Sequence, residues 1–453
     1  MKPVPLRLGP LKADGHKVLR SGMTWLCSPG DHLRARQVFA YCNISLEPQG
    51  MRSKGAPGFA LEQEIQVAIA SPCAGVLSVE GEKGRGGYLS IRSVQAWDPD
   101  EVVARLEPDV PTNEADDSRV RLLMLAGRRM TGLADVHAGL MPGWLGRTRG
   151  WWYEENQSPV SLLSMGICDA TGMILGDKGG FLELFEHATL PLQAVVIPDH
   201  PLMPAAPVLL DQLNRTPAEF QAIAADLRSY LATAPTVPTH DDWMFAGAML
   251  QVMQASPIRD HYALFGTGGS LSLPGADAIL LSLSAEPQSI LRHKKLGYRI
   301  QILRHHQGAA GPAMRAWLAS AFEPVRRSLD DVRRDYETLI DTVARTTGGK
   351  IMVINRMSST GHEDITSYAP FDSPMGNTLY SIASKEMNLV LHDIAETRDL
   401  AIIDVDAIAA QIGGREHLPD SIHKSGLMQT LLRSEILSAI DQISTRTRPV
   451  AAE

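Results

Sequence analysis

Pro159-Val160-Ser161-Leu162-Leu163-Ser164-Met165, followed by Gly166-Ile167-Cys168-Asp169-Ala170-Thr171-Gly172, is the stretch on which the fold turns. A short apolar run ending in a Gly-containing turn predicts a buried strand that passes into a helix. Further apolar runs of this kind occupy 193–197, 277–283, 350–355 and 401–405. Between them, 216–233, 313–347 and 378–397 show helical spacing with polar outer faces, and 427–444 is a closing amphipathic helix. This alternation predicts an α/β layer fold built on a doubly wound parallel sheet from about residue 158. The stretch 199–257 is expected to be an insertion, long enough to form a lid or an acceptor-binding surface.

In such sheets chemistry gathers at the carboxyl ends of the strands. Cys168 follows the first strand, at a turn where helix N-terminal amides can stabilise a thiolate. Asp169 beside it opposes that charge, and the plainer reading is a small residue buried at a tight turn. Ser284-Ala285-Glu286-Pro287 follows the third strand, and Asn355-Arg356-Met357-Ser358-Ser359 the fourth. Asn355 and Arg356 suit a substrate carboxylate or hydroxyl, or pairing within their own loop. Before the closing helix stands Pro419-Asp420-Ser421-Ile422-His423. An Asp three residues ahead of a His can fix the imidazole's tautomer while its other nitrogen faces a nucleophile. The plainer alternative is a helix-start His capped by Asp420. His305-His306 reads as a solvated turn rather than a metal site, and no phosphate-cradling Gly-rich loop is present.

Across about 158–445 this ordering resembles the SGNH/GDSL hydrolases, which implies their flavodoxin-like three-layer fold. Gly166-Ile167-Cys168 falls on that family's G-D-S turn, and Asp420 with His423 falls on its D-x-x-H pair. The resemblance implies Cys168 as nucleophile, His423 as base and Asp420 as orienting carboxylate. Oxyanion donors would be the Cys168 amide, Gly268 or Gly269, and Ser284, which stands where the family carries the Asn of G-x-N-D. Two departures are plain: Cys replaces Ser, as in a branch involved in polysaccharide acylation, and the oxyanion Asn is missing. Losing one such donor typically costs about 100- to 1000-fold in rate.

Residues from about 20 to 107 carry β signals, and 1–107 is expected to form one β domain. Ser28-Pro29-Gly30-Asp31-His32-Leu33 and Ala70-Ser71-Pro72-Cys73-Ala74-Gly75-Val76 are two similar turn-and-strand units. Together they resemble the halves of a biotinyl/lipoyl-type barrel-sandwich domain. Counted back from Ser71-Pro72, the family's modifiable Lys falls on Glu64. A carboxylate cannot form the amide that tethers biotin or lipoate, so no cofactor is expected and Lys54 is the only other attachment point. A β module for oligomerisation or docking on a protein partner is the expectation. Residues 108–157 read as a linker and connector, with 120–128 a short strand or helix start. Its Gly143-Trp144-Leu145-Gly146-Arg147-Thr148-Arg149-Gly150-Trp151-Trp152 suits either a sugar-stacking platform or packing between domains.

With 453 residues at 44% hydrophobic and 21% charged, the chain is long enough for more than one core. A net charge of -8 without a basic patch disfavours nucleic acid. The absence of a long apolar run and of a signal-like start predicts a cytoplasmic protein with no membrane span. Four scattered cysteines predict neither a disulfide framework nor a zinc cage. The expected function is a hydrolase or acyltransferase acting on a small-molecule or glycan acyl ester. The alternative is a catalytically inactive scaffold or carbohydrate-binding component of a biosynthetic complex.

Overall fold

The computed structural model describes residues 3–11, 16–48, 63–78, 94–110, 119–128, 148–153, 160–165, 180–188, 192–197, 205–254, 277–282, 290–302, 310–358, 380–418 and 423–447. The amino-terminal strands are β1 (Val4–Arg7), β2 (His16–Trp25), β3 (His32–Leu33), β4 (Val38–Pro48), β5 (Gln63–Ala70), β6 (Gly75–Ser78), β7 (Gln95–Ala96) and β8 (Val102–Pro108). One sheet has the order β1-β8-β6-β3, and β5-β4-β2-β7 belong to a second. Between the two lie Leu6, Leu33, Phe39, Cys42, Val67, Ile69, Leu77 and Leu106, so the region is an antiparallel sandwich. The two similar sequence units meet there: β3 pairs with β6, the Gly30 N–H donates to Leu77 O and the Leu77 N–H to Asp31 O.

The connector is not a linker throughout. It supplies β9 (Arg121–Arg128) and β10 (Thr148–Tyr153), β9 pairing with β5 and β10 with β9. β10 then pairs antiparallel with β12 (Leu192–Ile197), which lies parallel to β11 (Val160–Met165). The sheet continues through β13 (Ala278–Ser282), β17 (Lys350–Ile354) and β18 (Leu400–Ile403), all parallel. Eleven strands thus form one sheet, antiparallel at one end and parallel at the other. The acidic run at 108–118 obscured this, because polar composition marks a loop but says nothing of the strands beyond it.

The five parallel strands lie in the order β12-β11-β13-β17-β18, second-first-third-fourth-fifth along the chain. This is the flavodoxin-like order, whose reversal point falls between the first and third strands. Helices cover both faces. On one face α1 (Gly180–His187) packs with two helices that follow β18. On the other, α2 (Ala206–Asn214) packs with two helices that flank β17. Alternate strand residues serve the two faces: Leu162, Leu280 and Met352 the first, Leu163, Ile279 and Val353 the second. β5 divides likewise, with Val67 and Ile69 inside the sandwich and Ala68 and Ala70 in the core beneath α1. The sandwich thus keeps its own core on one face of β5 and contributes the other face to the core of the α/β layer.

The insertion does not coincide with 199–257: α2 belongs to the layer, and the inserted core begins after residue 214 and draws in segments beyond 257. α3 (Pro217–Thr233) and α4 (His240–Gln254) pack with β14 (Ile290–His293), β15 (Arg299–Gln301) and β16 (Phe322–Val325), and with α5 (Pro312–Ala321). Thr216 and Glu219 form a reciprocal capping box that starts α3. The long helix expected over 313–347 is broken: α5 ends at Ala321, β16 intervenes with Pro324, and Ser328 starts α6 (Leu329–Thr347) through a second capping box with Asp331. An even apolar spacing concealed that break; the Pro and the Ser-x-x-Asp signal it. The remaining helices are α7 (Tyr380–Thr397), α8 (Val405–Ile412), the short α9 (Gly414–His417) and α10 (Gly426–Thr447). α10 buries Met428, Leu432, Ile436 and Ile440, one turn apart, against the face that holds α1. No helix among the described residues is long and apolar enough to cross a membrane.

Candidate functional site

The carboxyl ends of β11 and β13 flank the point where strand order reverses, the usual ligand crevice of such a sheet. Cys168 stands three residues beyond the end of β11, and Ser284 two beyond the end of β13. Cys168, Asp420, Gly268, Gly269 and Ser284 lie outside the described residues. So do Glu64's side chain and the residues Lys54, His305 and His306. His423 is described: it is exposed and stands three residues ahead of the first residue of α10. Lys424 beside it is buried. Ser425 ends the turn, its N–H donating to His417 O at 2.9 Å and its hydroxyl meeting His417 Nδ1 at 2.8 Å.

Two contacts relate the start of α10 to the helix that follows Cys168. Arg433, in the second turn of α10 and 4% exposed, pairs with Glu183 in the first turn of α1. Leu184 and Phe185 of α1 share the core with Met428 and Leu432. The chain leaving β11 through Cys168 and the chain entering α10 through His423 therefore lead to neighbouring helices on one sheet face. On that same face Ser164, next to the last residue of β11, is fully buried, and its hydroxyl finds no hydrogen-bond partner among the described residues. An unmatched buried hydroxyl calls for a reason, and a functional site is one. Its sequence signal was a Ser inside an otherwise apolar strand end.

Asn355 and Arg356, expected at substrate, are engaged inside the fold. Asn355 Nδ2 donates to Asp404 Oδ1 at 2.8 Å, and its Oδ1 accepts the Val405 N–H at 2.8 Å. The amide thus ties the end of β17 to the start of α8, where Asp404 also caps the helix by accepting the Ala407 N–H. Arg356 is 2% exposed; its N–H and C=O bond the Asn388 amide, and its Nε donates to Ser384 Oγ at 3.3 Å. Asp406 accepts from the Ser358 N–H and hydroxyl. The Asp404-x-Asp406 spacing after an apolar strand was the overlooked sign of this network. Asn355→Ala should lower stability by about 2 kcal/mol, since it strands the buried Val405 N–H, and leave turnover unchanged at equal folded protein. A kcat loss above tenfold at unaltered stability would return Asn355 to the site.

Other polar clusters serve the inserted subdomain. His293, 3% exposed, accepts the Leu296 N–H at Nδ1, so its proton sits on Nε2, 3.3 Å from Asp226 Oδ2 but poorly aligned. Burial pushes its pKa down, against the pull of Asp226. Its ring stacks on Tyr298 and meets Phe322 edge-on, which makes it a neutral core residue. A pocket of about 330 Å³ is lined by Asp211, Arg215, Glu219 and Tyr298, among others. Among the described residues no cluster of three His, Cys, Asp or Glu is arranged to hold a metal. The chain matches no protein-family model and no curated protein.

Proposed function

We propose that the chain is an SGNH-like acyl-ester enzyme, a hydrolase or acyltransferase, acting on a small acyl ester such as that of a carbohydrate. The Cys168 sulfur bonds to the acyl carbon while His423 takes the thiol proton. The leaving alkoxide departs with that proton, and Asp420 orients the imidazole throughout. Water or a second alcohol then attacks the thioester, yields its proton to His423, and the expelled thiolate recovers it. The Cys168 amide, Gly268 or Gly269, and Ser284 would face the oxyanion. The observation that carries this reading is the strand order, which makes β11 the switch-point strand immediately ahead of Cys168. The adjacency of α1 and α10, reached from Cys168 and from His423, supports it.

A second reading, a catalytically silent scaffold, is favoured by the internal use of Asn355 and Arg356. Thiol alkylation separates the two. Burial and Asp31 raise the Cys27 pKa, and burial pushes Cys42 up to about 12, so both should react slowly. With iodoacetamide near neutral pH, read by site-resolved mass spectrometry, Cys168 should modify at least about tenfold faster than a free thiol. A short acyl ester should protect it. A Cys168 no faster than the free thiol would exclude the enzymatic reading and leave the scaffold.

A further inference from the structure

Arg36 is the one non-glycine residue with positive φ among the described residues, at φ 67°. Left-handed backbone at a residue with a Cβ is costly, and such outliers gather where the fold needs a particular geometry. The surroundings hold it in place: the Arg36 N–H donates to Ser71 O at 2.8 Å, and the Ser71 N–H returns to Gln37 O at 2.9 Å. This conformation sends the guanidinium out of the sandwich to the carbonyl of Ala188, the residue after α1. Next to it, the Val38 N–H donates to Glu186 Oε1 at 2.9 Å, and Arg34 lies 3.7 Å from Glu186 Oε2.

A helix's last carbonyls lack partners within the helix and carry its negative dipole end, so a guanidinium there satisfies both. α1 needs such help, because eight residues are too few to hold a helix by backbone bonds alone. It is gripped at both ends: by Arg36 of the sandwich beyond its last turn and by Arg433 of α10 at its first. α1 is also the next described element after β11 and Cys168.

We propose that the amino-terminal sandwich is a positioning module for the candidate site, and that Arg36, by clamping α1, is its positioning residue. This rests on the acyl-enzyme reading for what is positioned, but not for the clamp itself. The sandwich then has a purpose in this chain that requires no tethered cofactor.

Arg36→Gly tests it, since glycine keeps the left-handed backbone while removing the side chain that carries the guanidinium. Amide hydrogen exchange across 180–188 should accelerate at least tenfold, while β4 and β5 keep their protection. Cys168 alkylation at neutral pH should slow several-fold and kcat per folded molecule should fall with KM little changed, whereas general destabilisation lowers only the folded fraction and exposes the thiol. Arg36→Lys, which retains a cation with N–H donors on a single nitrogen, should restore part of both. Unchanged exchange over 180–188 overturns the clamp. A loosened α1 with unaltered Cys168 alkylation and kcat overturns its link to the site. A wild-type Cys168 as slow as a free thiol sinks the acyl-enzyme reading alone, and the exchange result still judges the clamp.

Discussion

Cys168→Ala and His423→Ala should each reduce kcat on an acetyl- or short-acyl-ester probe by about 10⁴-fold or more, with folding unaffected. The size follows from the division of labour: without the sulfur no covalent intermediate forms, and without the imidazole neither proton transfer has a carrier. The double variant should be no slower than either single one, because members of one relay fail as a unit. Asp420→Asn should cost less, since a carboxylate that only orients the imidazole leaves nucleophile and base in place. His423 is exposed ahead of α10, so its truncation should shift stability by no more than about 0.5 kcal/mol. Initial rates with matched thermal melts provide the check. Turnover that survives in either alanine variant removes the triad, and with it the enzymatic proposal.

The legible parts of the sequence are those where one local rule acts alone. All five parallel strands announced themselves as apolar runs, and Thr216 and the start of the closing helix were placed within a residue, because burial on both faces and N-capping leave direct marks. Contacts between distant segments left none. The sandwich looked separate because its β signals end near residue 107, yet β9 and β10 stitch it to β12 through backbone pairing that any alternating segment could make. That stitching bears on function. Position 64 lies within β5, laddered to Gly127 of β9, where a swinging arm would have no hairpin tip to swing from. The internal bonds of Asn355 were hidden for a related reason. A polar residue at a strand end is the same letter whether it faces substrate or the Asp that follows the next strand, and only the register of β17 on β18 decides.

Asp242→Ala should destabilise the protein by about 4 kcal/mol, more than any single hydrogen bond at its surface could explain. Asp242 has no exposed surface and serves two helices at once. Its Oδ2 accepts the N–H and the hydroxyl of Thr239, both at 2.8 Å, closing the first turn of α4. Its Oδ1 accepts the Met314 N–H at 2.7 Å in the first turn of α5. The N-cap of α5 is Gly311, which has no side chain to offer, so a carboxylate from another helix does the capping. A Cβ at 311 would stand 2.4 Å from Asp242 Cγ, so only glycine admits this approach. Alanine at 242 strands the buried Met314 N–H of α5 and removes the acceptor that the Thr239 N–H and hydroxyl share at the start of α4, bonds to a charge worth about 1.5–3 kcal/mol each. Asp242→Asn, keeping one acceptor oxygen, should cost about half as much. Burial pushes the Asp242 carboxyl up, but the N–H groups of Met314, Thr239 and Ala313 outweigh it and hold the pKa below its ordinary value. A folded-state pKa below the unfolded one gives stability that is complete above the unfolded value, near 4, and drains as pH falls through the folded one. The gap between wild type and Asp242→Asn should therefore be constant at neutral pH and narrow only below about pH 4. Because α3, α4 and α5 have their own core around Trp317, hydrogen exchange should show the loss first over 217–254 and 312–322. β11, β13 and β17 should keep their protection. A uniform loss across both regions would mean that the inserted subdomain and the parallel sheet unfold as one unit.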